Sequence, residues 1–318
     1  VSEEENPGSV PPGAGVEDSA LVRRPLVRWH GGKFRLAPWI LSFLPAHRTY
    51  VEPYGGGGSI LLRKDRSYAE VYNDLDGEIV NLFRVVRDHG EEFCRRVEMT
   101  PFAREEFAAC RQPSEDPLER ARRLLVCSHM GLGSNAATKA STRSGKPGTG
   151  FRGNVTQRGT IPAVDWARFP PVLEAITSRL RGVVVENKAA LELIERMDGP
   201  ETLFYVDPPY LPETRDDARA DYRHEMTRED HVSLAALLRT VQGKALISGY
   251  ASSLYEDLYS GWHREERPTI GDGGCARVEV LWMNYVPQME PELLARSARP
   301  SEAGTDLPTP TRNPEATP

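Results

Sequence analysis

Thr49-Tyr50-Val51-Glu52-Pro53 leads into Tyr54-Gly55-Gly56-Gly57-Gly58-Ser59, then Ile60-Leu61-Leu62, then a run from Tyr68 to Tyr72 that ends on Asn73-Asp74. The β-branched and aromatic runs read as two strands, the glycines as the turn between them, and Ile60 to Leu62 as the start of a helix. Strand, glycine turn, helix, strand, acid is how an open α/β sheet begins, and such sheets bind ligands outside the carboxyl ends of their strands. Working outward, Leu75, Ile79, Leu82, Phe83 and Val86 share one helical face, and so do Leu36, Ile40, Phe43 and Leu44 upstream. The alternation resumes late in the chain with a strand at Gly182 to Glu186 and a helix over Ala189 to Met197. After these come the strand Leu203 to Val206, a helix near Asp230 to Val241, the strand Lys244 to Ser248 and a closing strand from Val278 to Val286.

Between about 90 and 165 the alternation breaks down into a helix from Leu118 to Met130 and a basic, glycine-rich loop, which reads as an inserted second region. The chain of 318 residues carries a net charge of −6, but the window from Arg120 to Thr160 holds eight Lys and Arg residues and no acid. Arg123, Lys139, Arg143, Lys146 and Arg152 in that window are the candidate phosphate contacts, with a solvated surface loop as the competing reading. Residues 1–22, with Glu3, Glu4, Glu5, Glu17 and Asp18 and hardly a large apolar side chain, read as a disordered acidic arm, and 288–318 as a second loose tail. The expected organisation is therefore a cofactor-binding half at 23–89, the insert at 90–165 and a catalytic half at 166–287. No apolar run approaches the roughly 20 residues a bilayer requires, and no basic-then-apolar leader opens the chain, so a cytoplasmic protein is expected. Cys94, Cys110, Cys127 and Cys275 are widely spaced, which predicts reduced thiols and neither a disulfide framework nor a metal site.

Two stretches carry chemistry. Four glycines after a strand let a ligand lie against bare backbone, and Asp74, sixteen residues after Gly58, ends the next strand where an acid accepts ribose hydroxyls. A nucleoside-containing cofactor is expected. The turn lacks a clean Gly-x-Gly-x-x-Gly and the Gly-Lys-Ser/Thr of a P-loop. S-adenosylmethionine suits it better, with Glu52 toward its cationic end, Tyr54 beside it, and the backbone of Gly55 and Gly57 toward its carboxylate. The second stretch is Leu203-Phe204-Tyr205-Val206-Asp207-Pro208-Pro209-Tyr210. Two prolines stop the strand and stiffen the turn, so Asp207 and the Pro208 carbonyl can accept both hydrogens of an exocyclic amine while Tyr210 stacks on its ring. Adenine and cytosine both carry such an amine.

In this order, Arg28-Trp29-His30-Gly31-Gly32-Lys33, Val51-Glu52-Pro53-Tyr54 with its glycines, Asn73-Asp74 and Asp207-Pro208-Pro209-Tyr210 resemble the motifs of the DNA adenine methylase (D12, alpha-type N6-adenine) methyltransferase family, over roughly 25 to 286. The resemblance implies a Rossmann-like methyltransferase sheet with an inserted, mainly helical target-recognition region, S-adenosylmethionine as methyl donor, and double-stranded DNA as partner. Neither a membrane nor a metal is implied, and a monomer or weak dimer is expected. It assigns Trp29, Lys33, Asp74 and Asp207 to cofactor contact and Asp207, Pro208, Pro209 and Tyr210 to catalysis. Tyr54 replaces the family's usual Phe, and the insert matches no target-recognition pattern. Two alternatives stay open: the N4 amine of cytosine as target, and a DNA-binding protein that keeps the fold without turnover. His30 reads as a local hydrogen-bond partner, His224 and His231 as surface residues, and Glu186-Asn187 as either pocket lining or structure.

Overall fold

The computed structural model describes residues 22–133, 149–153, 161–215, 222–270 and 276–288. Nearly all of the expected arm and tail, together with Lys139, Arg143, Lys146 and Cys275, lie outside the described residues. In chain order the elements are α1 (Ala37–Leu41), β1 (Thr49–Glu52), β2 (Ala69–Asn73), α2 (Gly77–Asp88), α3 (Gly90–Glu98), α4 (Arg104–Ala109) and α5 (Pro117–Met130). These are followed by α6 (Pro162–Ala167), α7 (Pro170–Leu180), β3 (Val184–Glu186), α8 (Ala190–Met197) and β4 (Thr202–Val206). The last are α9 (Arg228–Leu238), β5 (Lys244–Tyr250), α10 (Ser253–Leu258), β6 (His263–Ile270) and β7 (Ala276–Met283).

The strands form one seven-stranded sheet in the order β3-β2-β1-β4-β5-β7-β6. β3, β2, β1, β4 and β5 are parallel, with Val51 opposite Val71 on one side and Phe204 on the other. β7 runs antiparallel between β5 and β6. The strand order reverses between β1 and β4, and at such a reversal the connecting segments diverge and leave a crevice at the carboxyl ends.

Side chains alternate across the sheet with a period of two and feed two cores. Tyr50, Tyr72, Leu203, Tyr205, Leu246 and Leu281 face one cluster, filled by α2 (Ile79, Phe83), α3 (Phe93, Val97), α5 (Leu125) and α7 (Leu173, Ile176). Val51, Val71, Phe204, Val206, Ile247, Val280 and Trp282 face the other, closed by α8 (Leu193, Ile194), α9 (Leu234, Leu238) and α10 (Leu254, Tyr255). The strands are thus buried on both faces, which is why they read as near-continuous apolar runs. The helices between 90 and 180 share the first core rather than forming one of their own.

Three local readings change. Ile60 to Leu62 start no helix: Leu62 bonds Gly58 and Lys64 bonds Ile60 in a single turn, because Lys64 must swing inward to reach Glu70 Oε1 at 2.6 Å just inside β2. α3, α4 and α7 are helices that the sequence did not delimit, the first two within the region expected to be mainly helical, and their short apolar stripes fall on α2 and its neighbours. The closing strand is half of a hairpin; its partner β6, His263-Arg264-Glu265-Glu266-Arg267-Pro268-Thr269-Ile270, is a charged edge strand and has no apolar alternation to read. No helix among the described residues is long and apolar enough to cross a membrane. Cys110 and Cys127 are buried free thiols and Cys94 is a half-buried one.

Candidate active site

A cavity of about 310 Å³ opens at the reversal point, lined by the carboxyl ends of β1, β2 and β4. Trp29, Lys33, Glu52, Tyr54, Gly55, Gly57, Asp74 and Asp207, all expected at the cofactor, lie on its wall. The glycine turn is shaped as much by its own protein as by space for a ligand. A Cβ on Gly55 would stand 2.2 Å from the ring of Tyr72, and Gly58, at φ +63°, would meet Phe83 at 2.8 Å. The Tyr72 and Phe83 rings stack at 4.0 Å, and Tyr72 OH donates to the Gly56 carbonyl at 2.7 Å.

Three carboxylates define the chemistry of the wall. Glu52 is 1% exposed. Its Oε1 accepts from Tyr50 OH and from the Leu61 amide, both at 2.6 Å. Burial pushes its carboxyl up to about 7 in spite of those donors. Asp74 accepts from the Gly56 amide on Oδ2 and the Asp76 amide on Oδ1, each at 2.8 Å, and burial raises it to about 6. Asp207, at the end of β4, is held among the described residues through Oδ1: Ser248 Oγ donates at 2.8 Å and Lys33 Nζ lies at 3.0 Å. Burial lowers the Lys33 ammonium, but the nearby carboxylates of Asp207 and Glu279 outweigh it and keep the side chain protonated.

The Asp207-Pro208-Pro209-Tyr210 turn departs from expectation at its last residue. Asp207 and Pro209 line the cavity, whereas Tyr210 is buried behind Lys33. Its hydroxyl donates to Glu279, Lys33 Nζ stands 4.6 Å over its ring, and the Tyr250 ring meets it edge-on at 4.8 Å. A base stacked on Tyr210 therefore requires Lys33 or Tyr250 to shift. His231 is a core residue, not a surface one: it is fully buried, with Nδ1 2.9 Å from Tyr255 OH, and its imidazole is lowered to about 4 by burial. His224 lines the cavity, and so does His30, whose ring packs edge-on against Tyr222 at 5.4 Å. Asn187 donates to the carbonyls of Asp74 and Leu75 and so braces the Asp74 loop.

Sequence reasoning missed several wall and support residues. Tyr222, Arg223 and Met226 close the cavity from the segment after the Asp-Pro-Pro-Tyr turn, with Arg223 Nη1 2.6 Å from Asp76 Oδ1. Ser248 and Glu279 support the turn from β5 and β7. The one available signal was an isolated acid in the apolar run Val278-Glu279-Val280. Of the candidate DNA contacts, Arg123 is engaged by Glu119 and by the carbonyls of Gln112 and Pro113. Arg152 donates to the His129 carbonyl at 3.1 Å, while Lys139, Arg143 and Lys146 fall outside the described residues. Among the described residues no group of three His, Cys, Asp or Glu side chains is arranged to hold a metal.

A seven-stranded α/β sheet with an acidic, glycine-turned cavity beside an Asp-Pro-Pro-Tyr turn is consistent with a methyltransferase that acts on an amine. The profile of the D12 class N6 adenine-specific DNA methyltransferases matches residues 29–270, and the chain belongs to that family. A Type II methyltransferase of Lactococcus lactis subsp. cremoris is 24% identical over 293 residues, spanning 85% of this chain and 98% of its own length. A DNA adenine methylase of Salmonella typhimurium is 24% identical over 278 residues, spanning 81% and 92%. One from Haemophilus influenzae is 21% identical over 255 residues, spanning 76% and 84%. The protein is an adenine-specific DNA methyltransferase, and its family implies S-adenosylmethionine as the methyl donor.

Proposed function

We propose that the protein is a site-specific enzyme of the cytoplasm that methylates N6 of an adenine flipped out of double-stranded DNA, on a Rossmann-like sheet with a target-recognition region inserted at 90–165. The observation that carries this reading is the placement of Asp207. It ends β4 on the wall of the cavity, with Oδ1 engaged by Lys33 and Ser248 and, among the described residues, no hydrogen bond on Oδ2, which is therefore the acceptor proposed for an incoming amine.

The wall suits S-adenosylmethionine. The buried Glu52 and the half-buried Asp74 carboxyls are held above their ordinary range, so each gains from a ligand that brings a cation or hydroxyls to it. Leu75, Leu191 and Tyr54 supply apolar surface for a purine. When bound, this cofactor supplies an electrophilic methyl group on a sulfonium. On this reading Asp74 accepts the ribose hydroxyls, Glu52 faces the ammonium, and Trp29 with the Gly55 and Gly57 backbone borders the methionine part.

The N6 lone pair of adenine is delocalised into the ring and is a poor nucleophile. Hydrogen bonds from its two N–H groups to Asp207 and the Pro208 carbonyl draw the nitrogen toward a pyramidal shape, and the rigid prolines hold both acceptors in place. Inside a duplex the amine is out of reach, so the base must leave the stack at a cost of a few kcal/mol, and stacking on Tyr210 follows once Lys33 or Tyr250 has moved off its ring. Arg123, Lys139, Arg143, Lys146 and Arg152 are proposed to contact the DNA backbone from the insert.

The test is to incubate purified protein with labelled S-adenosylmethionine and mixed-sequence duplex DNA, then digest the DNA and analyse nucleosides by mass spectrometry. N6-methyladenine from the wild type and none from Asp207→Ala, which still binds the cofactor, is the expected result. Wild-type turnover by Asp207→Ala would remove that residue from the mechanism.

A further inference from the structure

Within the β6–β7 hairpin only β7 runs against the parallel strands, so its first residues lie at the end of the sheet where β4 and β5 finish. The register sets Glu279 opposite Tyr250, and Leu281 opposite Ser248. A carboxylate that is only 3% exposed is thereby set behind the catalytic turn. Burying an ion costs several kcal/mol unless it is paired and hydrogen-bonded, so the partners of this one explain its presence.

It has two. Tyr210 OH donates to Glu279 Oε1, and Lys33 Nζ lies 3.6 Å from the same oxygen. Lys33 in turn has three N–H donors, and three acceptors surround it: the Gly31 carbonyl at 2.7 Å, Asp207 Oδ1 at 3.0 Å and Glu279. One ammonium is thus shared between the carboxylate that faces the cavity and one that does not line it.

We propose that Glu279 is a positioning residue for methyl transfer: it divides the charge of Lys33 with Asp207 and pins the Tyr210 ring, and so keeps the Asp207-Pro208-Pro209-Tyr210 turn in the form that accepts the target amine. The inference rests on the reading of Asp207 as the acceptor of that amine. Glu279 acts through Lys33 and Tyr210. Without its charge, the ammonium is drawn wholly onto Asp207, whose carboxylate becomes a weaker acceptor toward N6. Without its oxygen, the Tyr210 hydroxyl loses a buried partner and the ring its anchor.

Full-length Glu279→Gln, Tyr210→Phe and the double variant would be compared with wild type in steady-state methylation of duplex DNA, with separate measurement of S-adenosylmethionine binding and of folding by circular dichroism. For Glu279→Gln, kcat is expected to fall about 10- to 100-fold, the range of a lost charge-assisted hydrogen bond, with cofactor Kd within about threefold. Tyr210→Phe should lose less, and the double variant should lose more than Glu279→Gln alone, because the glutamine amide oxygen can still accept from the Tyr210 hydroxyl and the two changes cut different links. A folded Glu279→Gln with wild-type kcat would overturn the proposal. So would a loss confined to cofactor affinity. Should Glu279→Gln fail to fold, Tyr210→Phe still decides, since it leaves Glu279 paired with Lys33; an unchanged kcat there sinks the idea. Asp207→Ala, run in parallel, separates the two readings: turnover in that variant defeats the amine-acceptor reading, whereas its inactivity beside a wild-type Glu279→Gln defeats the positioning role alone.

Discussion

Replacing Glu70 with Gln should destabilise the enzyme more than any single change at its surface. Glu70, on β2, is 4% exposed. Its Oε1 accepts from Lys64 at 2.6 Å, Arg179 Nη2 at 2.8 Å and the Ser67 amide at 3.1 Å, while Oε2 accepts from Arg179 Nη1 at 2.6 Å. The side chains of Lys64 and Arg179 are themselves 4% and 3% exposed, so the variant leaves two buried cations facing a neutral amide. Breaking such a pair costs about 3–5 kcal/mol, a large part of the roughly 5–15 kcal/mol that holds a domain folded. Arg66, whose side chain is 31% exposed and 4.0 Å from Oε2, serves as the control, and Arg66→Ala should cost less than about 1 kcal/mol. Urea unfolding followed by tryptophan fluorescence and circular dichroism gives both numbers. The effect also has a pH sign. Burial raises the Glu70 carboxyl, but its bonds to Arg179 and Lys64 outweigh burial and hold it below its ordinary value. Its contribution is therefore complete above the unfolded carboxylate value near 4.5 and is lost as pH falls through the lower folded value. The variant should lack that acid-dependent loss. A cost under about 1 kcal/mol for Glu70→Gln would refute the reasoning, because it would mean that neither cation depends on the carboxylate.

Other outcomes follow from the site. Gly55→Ala puts a Cβ 2.2 Å from a Tyr72 ring already stacked on Phe83; overpacking of this kind costs about 1–3 kcal/mol, and calorimetry should show cofactor binding lost with it. Because burial holds Glu52 at about 7, the free protein carries it protonated below that pH, and a cationic ligand must displace the proton. S-adenosylmethionine affinity should rise as pH increases through about 7 and fall up to roughly tenfold per unit below it, with proton release visible in titrations across buffers of different ionisation enthalpy. A flat affinity between pH 6 and 8 would show that Glu52 does not meet the ammonium. Changing Lys139, Arg143 and Lys146 to Gln should weaken DNA binding and flatten its dependence on salt, while an unchanged slope would make that segment a bystander.

The amino-acid sequence by itself determined the parallel strands and the part of the cavity wall that lies on the turns at their ends. β1, β2, β4 and β5 are buried on both faces, so their apolar runs are legible without context, and the glycines and acids at their ends are local consequences of chain reversal. Trp29, Lys33, Glu52, Asp74 and Asp207 were readable because each sits in or beside such a turn. Tertiary structure alone decided what depends on distant partners. β6 is a strand only because β7 pairs with it, and α3 and α7 are helices because α2 offers them an apolar face. Glu279, a single acid in an apolar strand, gains its meaning 69 residues away from Tyr210. Local patterns encode backbone conformation and burial, whereas the pairing of Lys33, Asp207 and Glu279 exists only once an antiparallel hairpin carries the last strand back to the carboxyl end of the sheet.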